Sequence, residues 1–150
     1  MKKDQLNKQI LNILLENSKL SYRQIAKKLG VSAATIMNRV KLLEEGNIIK
    51  NYTISIDYEK VGFDIEAIIE IRISKGKLIE VERKIATNPN VFAVYDVTGD
   101  FDAIILARFE NRRKMDAFLK KIQTYDFVER IFTKVILNTL KEQQIKFQNI

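Results

Sequence analysis

The sequence contains neither histidine nor cysteine among its 150 residues. Without cysteine the chain forms no disulfide and no thiolate metal site, and it has no cysteine nucleophile. Without histidine it has no imidazole base, no serine–histidine triad and no histidine-ligated zinc. Only carboxylate and lysine chemistry remain, so we expect a protein that is not an enzyme and that uses no cofactor and no metal.

The sequence also lacks a long apolar run. The apolar stretch at residues 10–15 is interrupted by Asn12 and ends at Glu16, whereas a membrane span needs about 18 or more apolar residues. The basic N-terminus is not followed by the apolar stretch of a signal peptide. With 46% hydrophobic and 30% charged residues, the composition is that of a globular protein. We therefore expect a cytoplasmic protein with no membrane partner.

The net charge of +7 is concentrated in the first third of the chain. Residues 1–50 contain ten Lys and Arg but only four Asp and Glu, whereas the other hundred residues contain 16 and 15. A local positive excess attracts a polyanion, and phosphate contacts dominate the affinity of nucleic-acid binding. A positive excess is also found on well-solvated protein surfaces, so an assignment to nucleic-acid binding needs a sequence motif as well.

The first fifty residues carry the start and stop signals of three helices. Ser21 with Gln24 three residues later forms a capping box, and Ser32 is a good N-cap. Gly30 falls where the end of a helix needs a left-handed backbone, and Gly46 ends the third helix. Apolar residues at helical spacing then define the inner faces: Leu6, Ile10, Ile13 and Leu14; Ile25, Ala26 and Leu29; Ile36, Val40 and Leu43.

Two short helices joined by residues 30–32, with the small Ala26 at their crossing, predict a helix-turn-helix. The third helix presents polar side chains away from its apolar stripe. Asn and Arg bond base edges, Thr and Ala contact thymine methyl groups, and Lys neutralises phosphate. A plain three-helix core with a polar outer face is the alternative, but the combination of turn, spacing and charge favours DNA. The candidate DNA-binding residues are Arg23, Lys27, Ser32, Ala34, Thr35, Asn38, Arg39 and Lys41.

The rest of the chain alternates strand and helix. Residues 48–57 predict a strand that is either a short wing or a connecting arm. Strands at 65–73, 91–98, 101–109 and 127–140 then alternate with helical segments around 78–85 and 115–122. The order β-α-β-β-α-β predicts a ferredoxin-like sandwich. The fold class is therefore α+β, with an N-terminal (winged) helix-turn-helix domain and a C-terminal ferredoxin-like βαββαβ domain.

The last strand is apolar on both of its faces. Ile131 and Val135 lie on one face and Phe132 and Ile136 on the other. We expect the open face of the sheet to pack against another copy of the chain, although the chain's own tail is an alternative cover. The predicted domains are residues 1–50, a hinge strand or linker at 51–63, the sandwich at 64–140 and a loose tail at 141–150.

One segment of the C-terminal half is a candidate small-molecule site, residues 98–102. Backbone N–H groups of a glycine turn bind a carboxylate, and two nearby carboxylates bind an ammonium group, so an amino acid would suit the segment. It also fits a simple hairpin turn. A general acid and base or a magnesium site is a further alternative, but no nucleophile, phosphate loop or third acidic cluster supports it. The candidate effector-binding residues here are Thr98, Gly99, Asp100, Phe101 and Asp102.

Taken together, these segments resemble the leucine-responsive and asparagine-responsive regulators, the Lrp/AsnC or feast/famine family of transcription factors. The resemblance runs from about residue 4 to residue 140 and includes the segments 25–32, 35–46 and 98–102. It implies homodimers formed through the sheets, assembly into octamers, and binding to paired half-sites in double-stranded DNA. It also implies an amino-acid effector at contacts between dimers, lined by residues 99–102 with Thr133 on the last strand as a neighbour.

Two other classes of function remain as alternatives to a DNA-binding regulator. An RNA-recognition motif shares the β-α-β-β-α-β order, but it needs exposed aromatic residues in a basic pattern on a central strand. Residues 91–97 lack that pattern and include an acid. An amino-acid-binding metabolic subunit would leave the basic helix-turn-helix without a role.

Overall fold

The computed structural model describes residues 5–74 and 76–148, which divide into two compact units. Within the described residues, the N-terminal unit consists of 5–55 together with 141–148, and the C-terminal unit of 56–140. The N-terminal unit is therefore discontinuous in sequence. Residues 141–148, for which the sequence predicts a loose tail, belong to it. None of the described helices is both long and apolar enough to span a membrane.

Three helices form the N-terminal unit, and their bounds follow the local signals. Helix α1 spans Gln5–Glu16, α2 spans Tyr22–Leu29 and α3 spans Ala33–Glu45. At Ser21 both hydrogen bonds of the capping box are present. Gly30 has φ 67°, the left-handed conformation predicted at the end of α2. At the end of α3 the left-handed residue is Asn47 rather than Gly46.

A small apolar core holds the three helices together. Five of its residues are at most 1% exposed: Ile10 from α1, Ile25 from α2, and Ile36, Val40 and Leu43 from α3. Each occupies a position that the helical spacing assigns to an inner face. The side chains that point the other way from α3 are consequently fixed in direction by this core.

Residues 48–57 do not form the strand that the sequence predicts. Their backbone has no strand assignment within the described chain, and the apolar side chains of Ile54 and Ile56 are exposed. Alternating apolar residues favour an extended backbone, but a strand needs a neighbouring strand to accept and donate its hydrogen bonds. This segment has no such neighbour among the described residues, so it is an extended linker that leads to a short 3₁₀ helix, Glu59–Val61.

The C-terminal unit is a four-stranded antiparallel sheet with two helices. In chain order it contains β1 (Ile65–Ile73), α4 (Leu78–Ala86), β2 (Val91–Asp96), β3 (Ala103–Phe109), α5 (Arg112–Gln123) and β4 (Val128–Val135). The strand order is β2-β3-β1-β4, and every pair is antiparallel. The expected βαββαβ fold is confirmed.

Alternation along β1 and β3 places the whole core on one face of the sheet. Ala67, Ile69 and Ile71 are fully buried against α4 and α5, as are Ile105 and Phe109 on the neighbouring strand. The residues between them line the opposite face, which no helix covers. This second surface, called the open face below, carries alternating charged and apolar residues: Glu66, Ile68, Glu70 and Arg72 from β1, Ile104, Leu106 and Arg108 from β3, and Arg130, Phe132 and Lys134 from β4.

Three strand ends differ from the predictions. Strand β2 stops at Asp96 and β3 starts at Ala103, so a six-residue connection replaces the predicted tight turn. Strand β4 stops at Val135, although apolar residues continue to Leu140. The amide of Ile136 still donates to the carbonyl of Glu66 at 2.8 Å, but beyond it the described chain offers β4 no partner. Strand length is thus set by the length of β1 and not by the apolar pattern.

Arg108 fastens the end of the linker to the open face. Its Nε atom lies 2.8 Å from Glu66 Oε2, and the two side chains are only 14% and 24% exposed. The guanidinium carbon lies 4.4 Å from the centroid of the Tyr58 ring and 4.0 Å from that of Phe92. Since Tyr58 directly follows the linker, Glu66 belongs to β1 and Phe92 belongs to β2, one cation joins three segments through an ion pair and two cation–π contacts.

We expect Arg108→Met to lower the free energy of unfolding by about 2–3 kcal/mol, because it removes two ring contacts and leaves a half-buried Glu66 carboxylate without its partner. Guanidinium unfolding of the full chain followed by circular dichroism measures the change. Arg112→Met is the matched control, because its 3.9 Å pair with Asp116 is 86% exposed on the arginine side and such pairs contribute little. Equal losses in the two variants would contradict the role given to Arg108.

Candidate DNA-binding and effector sites

The turn between α2 and α3 is built from local hydrogen bonds. The Gly30 and Val31 amides both donate to the Ala26 carbonyl. Ser32 Oγ accepts from the amide of Thr35 at 3.1 Å, and the two hydroxyl groups are 2.8 Å apart. These bonds satisfy the end of one helix and the start of the next, so α3 begins at a fixed position relative to α2. The start of such a helix is a site at which a phosphate can bind.

Three predicted DNA-binding residues share one exposed stripe of α3. Ala34, Asn38 and Lys41 follow one another at helical spacing, all three are exposed, and they lie opposite the buried Ile36 and Val40. Lys41 has Glu45 at 3.7 Å, a separation at which two exposed side chains interact weakly. Its ammonium group is therefore available to a DNA phosphate. The stripe combines an amide, a methyl group and a cation, the groups that read and position DNA.

The other five predicted residues lie around that stripe. Thr35 and Arg39 are half-buried on the flank of α3, Ser32 is its exposed N-cap, and Arg23 and Lys27 are exposed on α2. Seven of the eight lie in the two helices of the helix-turn-helix, and Ser32 lies in the turn between them. Four exposed residues of α3 were not among the eight: Met37, Leu42, Glu44 and Glu45. Met37 lies three residues after Ala34, which is the signal that assigns it to the same surface.

The start of the linker is held against the end of α3. The hydroxyl group of Tyr52 donates to Glu44 Oε1 at 2.8 Å. Burial and the neighbouring carboxylate both disfavour the phenolate and raise the pKa of Tyr52 to about 12. Tyr52 therefore remains a hydrogen-bond donor throughout the neutral range, and it holds the start of the linker against α3.

On the C-terminal unit, an open depression of about 440 Å³ lies beside the connection between β2 and β3. Arg72 and Arg130 face each other across β1 and β4 on its floor. Lys134 Nζ lies 2.8 Å from both carboxylate oxygens of Glu70. Two rings, Phe101 and Phe132, stand 6.4 Å apart between their centroids. Of the predicted effector residues the depression contains Asp100 and Phe101, and its full lining is Glu70, Arg72, Asp100, Phe101, Arg130, Phe132 and Lys134.

Asp102 has a structural contact inside its own unit. Its Oδ2 atom accepts a 2.8 Å hydrogen bond from the amide of Ile73, and its amide donates to the carbonyl of Ile71. The carbonyl of Asp102 also accepts from Val97, which closes the connection between the strands. One carboxylate oxygen is thus engaged by the end of β1, where the pairing with β4 shifts register. Asp102 positions the connection, and of these two acids only Asp100 lines the depression.

The remaining predicted effector residues are not all near the depression. Thr98 and Gly99 are exposed in the connection, and Gly99 has φ 125°, a backbone conformation that favours glycine. Thr133 pairs with Ile69, whose side chain is fully buried against the helices. Its side chain is therefore on the opposite face of β4 from Phe132 and the depression. Arg72 and Arg130, which the sequence analysis missed, were detectable only once the register of β1 and β4 was known.

No group of three or more Asp and Glu side chains within residues 5–74 and 76–148 is positioned to hold a metal ion. The Asp100 and Asp102 carboxylates that could form such a site have different environments, since one lines the depression and the other accepts a backbone amide. Nothing in the geometry of this connection therefore supports the magnesium alternative.

Both units match known families over most of their length. Residues 3–50 match the family described as winged helix-turn-helix DNA-binding. Residues 66–145 match the family described as Lrp/AsnC ligand binding domain. A helix-turn-helix joined to such a domain defines a DNA-binding transcriptional regulator. The chain belongs to the Lrp/AsnC family.

Relatives and solved structures agree with this assignment. An uncharacterised HTH-type transcriptional regulator of Pyrococcus abyssi is 45% identical, covering 93% of this chain and 95% of that protein. The HTH-type transcriptional regulator FL11 of Pyrococcus furiosus is 34% identical over 93% and 92% of the two chains. The structure of AsnC from E. coli superposes with a TM-score of 0.91 at 26% identity, covering 97% of this chain and 99% of that one. These relatives are regulators and not enzymes, which confirms that expectation.

Two substitutions of Ser32, the N-cap of α3, distinguish its structural role from a role in DNA binding. We expect Ser32→Ala to destabilise the protein by about 1 kcal/mol through loss of the cap. Ser32→Asp should keep the stability, because aspartate caps a helix equally well, yet it should weaken DNA binding at least about tenfold by repelling phosphate. Thermal unfolding and gel-shift titration measure the two effects. Undiminished DNA binding by Ser32→Asp would place the phosphate contact elsewhere.

Proposed function

We propose that this regulator binds paired half-sites in double-stranded DNA as a cytoplasmic homodimer, and that an amino acid or related small molecule modulates its binding. The observation that carries the DNA part is the exposed stripe of Ala34, Asn38 and Lys41 on a helix whose start is fixed by Ser32. In this proposal α3 enters the major groove, with Asn38 at a base edge and Lys41 at a phosphate. The family assignment favours this function over RNA binding or a metabolic subunit.

The open face of the sheet supports the homodimer. Its apolar residues Ile68, Ile104 and Leu106 are covered by none of the described helices of the C-terminal unit. A second copy related by a two-fold axis would bring the same residues together and remove them from water. Two copies of α3 would then meet two half-sites, and contacts between such dimers would build an octamer.

The depression beside residues 97–102 supports an amino-acid effector. Arg72 and Arg130 offer two guanidinium groups to a carboxylate, and Asp100 offers a carboxylate to an ammonium group. Phe101 and Phe132 supply the apolar surface for a side chain. The depression is open on one side, so a neighbouring dimer would complete its wall. An effector bound there would join two dimers.

Regulation would follow from a population shift. A ligand that binds one arrangement of dimers more tightly than another raises the population of that arrangement, by an amount limited to its difference in affinity. Because each dimer carries two copies of α3, a different arrangement presents the half-sites at a different spacing. DNA binding and effector binding are then coupled, and each changes the affinity of the other by the same factor.

Substitutions of Asn38 and of Lys41 should weaken DNA binding in different ways. Asn38→Ala should cost about 1–3 kcal/mol on the preferred sequence and little on others, because a base contact carries sequence information. Lys41→Ala should weaken all sequences alike and lower the slope of log affinity against log salt by about one, because it removes one phosphate contact. Fluorescence-anisotropy titrations at several salt concentrations measure both. Identical salt slopes and unchanged sequence preference would contradict this orientation of α3.

The effector proposal is tested by footprinting DNA upstream of the protein's own gene, with and without a pool of the twenty amino acids. We expect protection of paired sites about one helical turn apart, changed by the pool. Asp100→Asn should retain the protection and lose the response, because the ammonium group loses its partner. Asp64→Asn, an exposed acid outside the depression, is the control. Protection that ignores the pool in the unaltered protein would refute the effector and keep the regulator.

A further inference from the structure

The last residues of the described chain are fastened to the first helix. Asn12 Nδ2 donates to the Phe147 carbonyl at 2.9 Å, and the Phe147 amide donates to Asn12 Oδ1 at 2.9 Å. One side-chain amide therefore binds both backbone groups of one residue, which is how an extended chain pairs with a neighbour in a sheet. One turn further along α1, Glu16 Oε1 lies 2.6 Å from Lys146 Nζ.

The contacts with α1 described above are made by the end of the segment. Leu137, Leu140 and Ile145 are 89–98% exposed, whereas Phe147 is 41% exposed. The apolar side chains before Lys146 are thus unpacked, and Lys146 with Phe147 forms the attachment. The ion pair favours the charged form of Glu16, since the hydrogen bond and the charge of Lys146 lower the pKa of this carboxyl group. Only five residues separate Leu140, the last residue of the C-terminal unit, from Lys146.

The attachment changes how the two units are connected. Because the N-terminal unit contains residues from both ends of the described chain, the polypeptide passes between the units twice, after Ser55 and after Leu140. The first connection is the linker, and a second short connection restricts whatever movement a single linker allows. Its contacts with α1 are intramolecular, so the segment meets its partner at an effective concentration near millimolar.

We propose that residues 141–148 act as a second tie between the two units, with Asn12 and Glu16 of α1 as its docking site, and that this tie sets the half-site spacing that a dimer accepts. The inference rests on the proposed binding to paired half-sites. In a dimer, two DNA-binding units that are each attached to the C-terminal unit at two points can bind half-sites only over a narrow range of separations. Units attached only through the linker would bind half-sites at many separations.

The test uses the full chain, a chain ending at Leu140, and Asn12→Ala. Each is titrated onto duplexes in which the separation of two half-sites grows in single base-pair steps over one helical turn. The full chain should lose affinity about tenfold or more when about five base pairs are inserted, because the second half-site rotates to the opposite side of the helix. Both altered proteins should lose about threefold or less, since their DNA-binding units can reorient. Gln144→Ala, a tail residue outside the attachment, should behave like the full chain.

Binding to a single half-site is the folding control, and it should be equal in all four proteins. A charge exchange covers the case in which the shortened chain fails that control. Glu16→Lys and Lys146→Glu should each widen the accepted spacing, and the double exchange should restore the narrow range. Spacing dependence in the altered proteins equal to that of the full chain would overturn the tie. A full chain with no spacing dependence would refute the tie alone, whereas equal affinity of the full chain for duplexes with one and with two half-sites would refute paired half-site binding.

Discussion

The C-terminal unit depends on the hydrogen bonding of β1 along both of its edges, to β3 and to β4. Because side chains alternate along a strand, this central strand decides what both faces of the sheet contain. Its odd-numbered residues, such as Ile69 and Ile71, form the floor of the core. Its even-numbered residues anchor the open face: Glu66 holds Arg108, Glu70 holds Lys134, and Arg72 borders the depression. A register slip of one residue would exchange the core for the charged surface.

In the N-terminal unit, too, the backbone geometry decides which side chains are buried and which are exposed. Its core is small, so the orientation of α3 depends on the short-range bonds around Ser32 and on the left-handed Gly30 as much as on apolar burial. These bonds fix the direction of the exposed stripe, and Tyr52 holds the start of the linker against the same helix. The stripe and the start of the linker are thus both positioned by α3.

A structural feature could be predicted from the sequence when it is caused by interactions between residues that are close together in the chain. The helix-turn-helix was predictable, since Gly30 and Ser32 act through bonds to residues within four or five positions. The strand predicted at residues 48–57 was wrong because apolar alternation reports an extended backbone and not a partner. Arg130 was missed as a pocket residue because its meeting with a residue of β1 depends on antiparallel register. The same register places the Thr133 side chain on the face of the sheet opposite to the depression. The sequence of a strand alone does not indicate which of its two sets of alternating side chains faces the helices.

The discontinuity of the N-terminal unit has a consequence for biosynthesis. A ribosome releases residues 5–55 long before residues 141–148, so the three helices form first without their final segment. The residues of the C-terminal unit must be synthesised before Phe147 becomes available to Asn12. The contact between Asn12 and Phe147 therefore forms only after both units have been synthesised. A product of premature termination after β4 contains the residues of the three helices and of the sheet but lacks this contact.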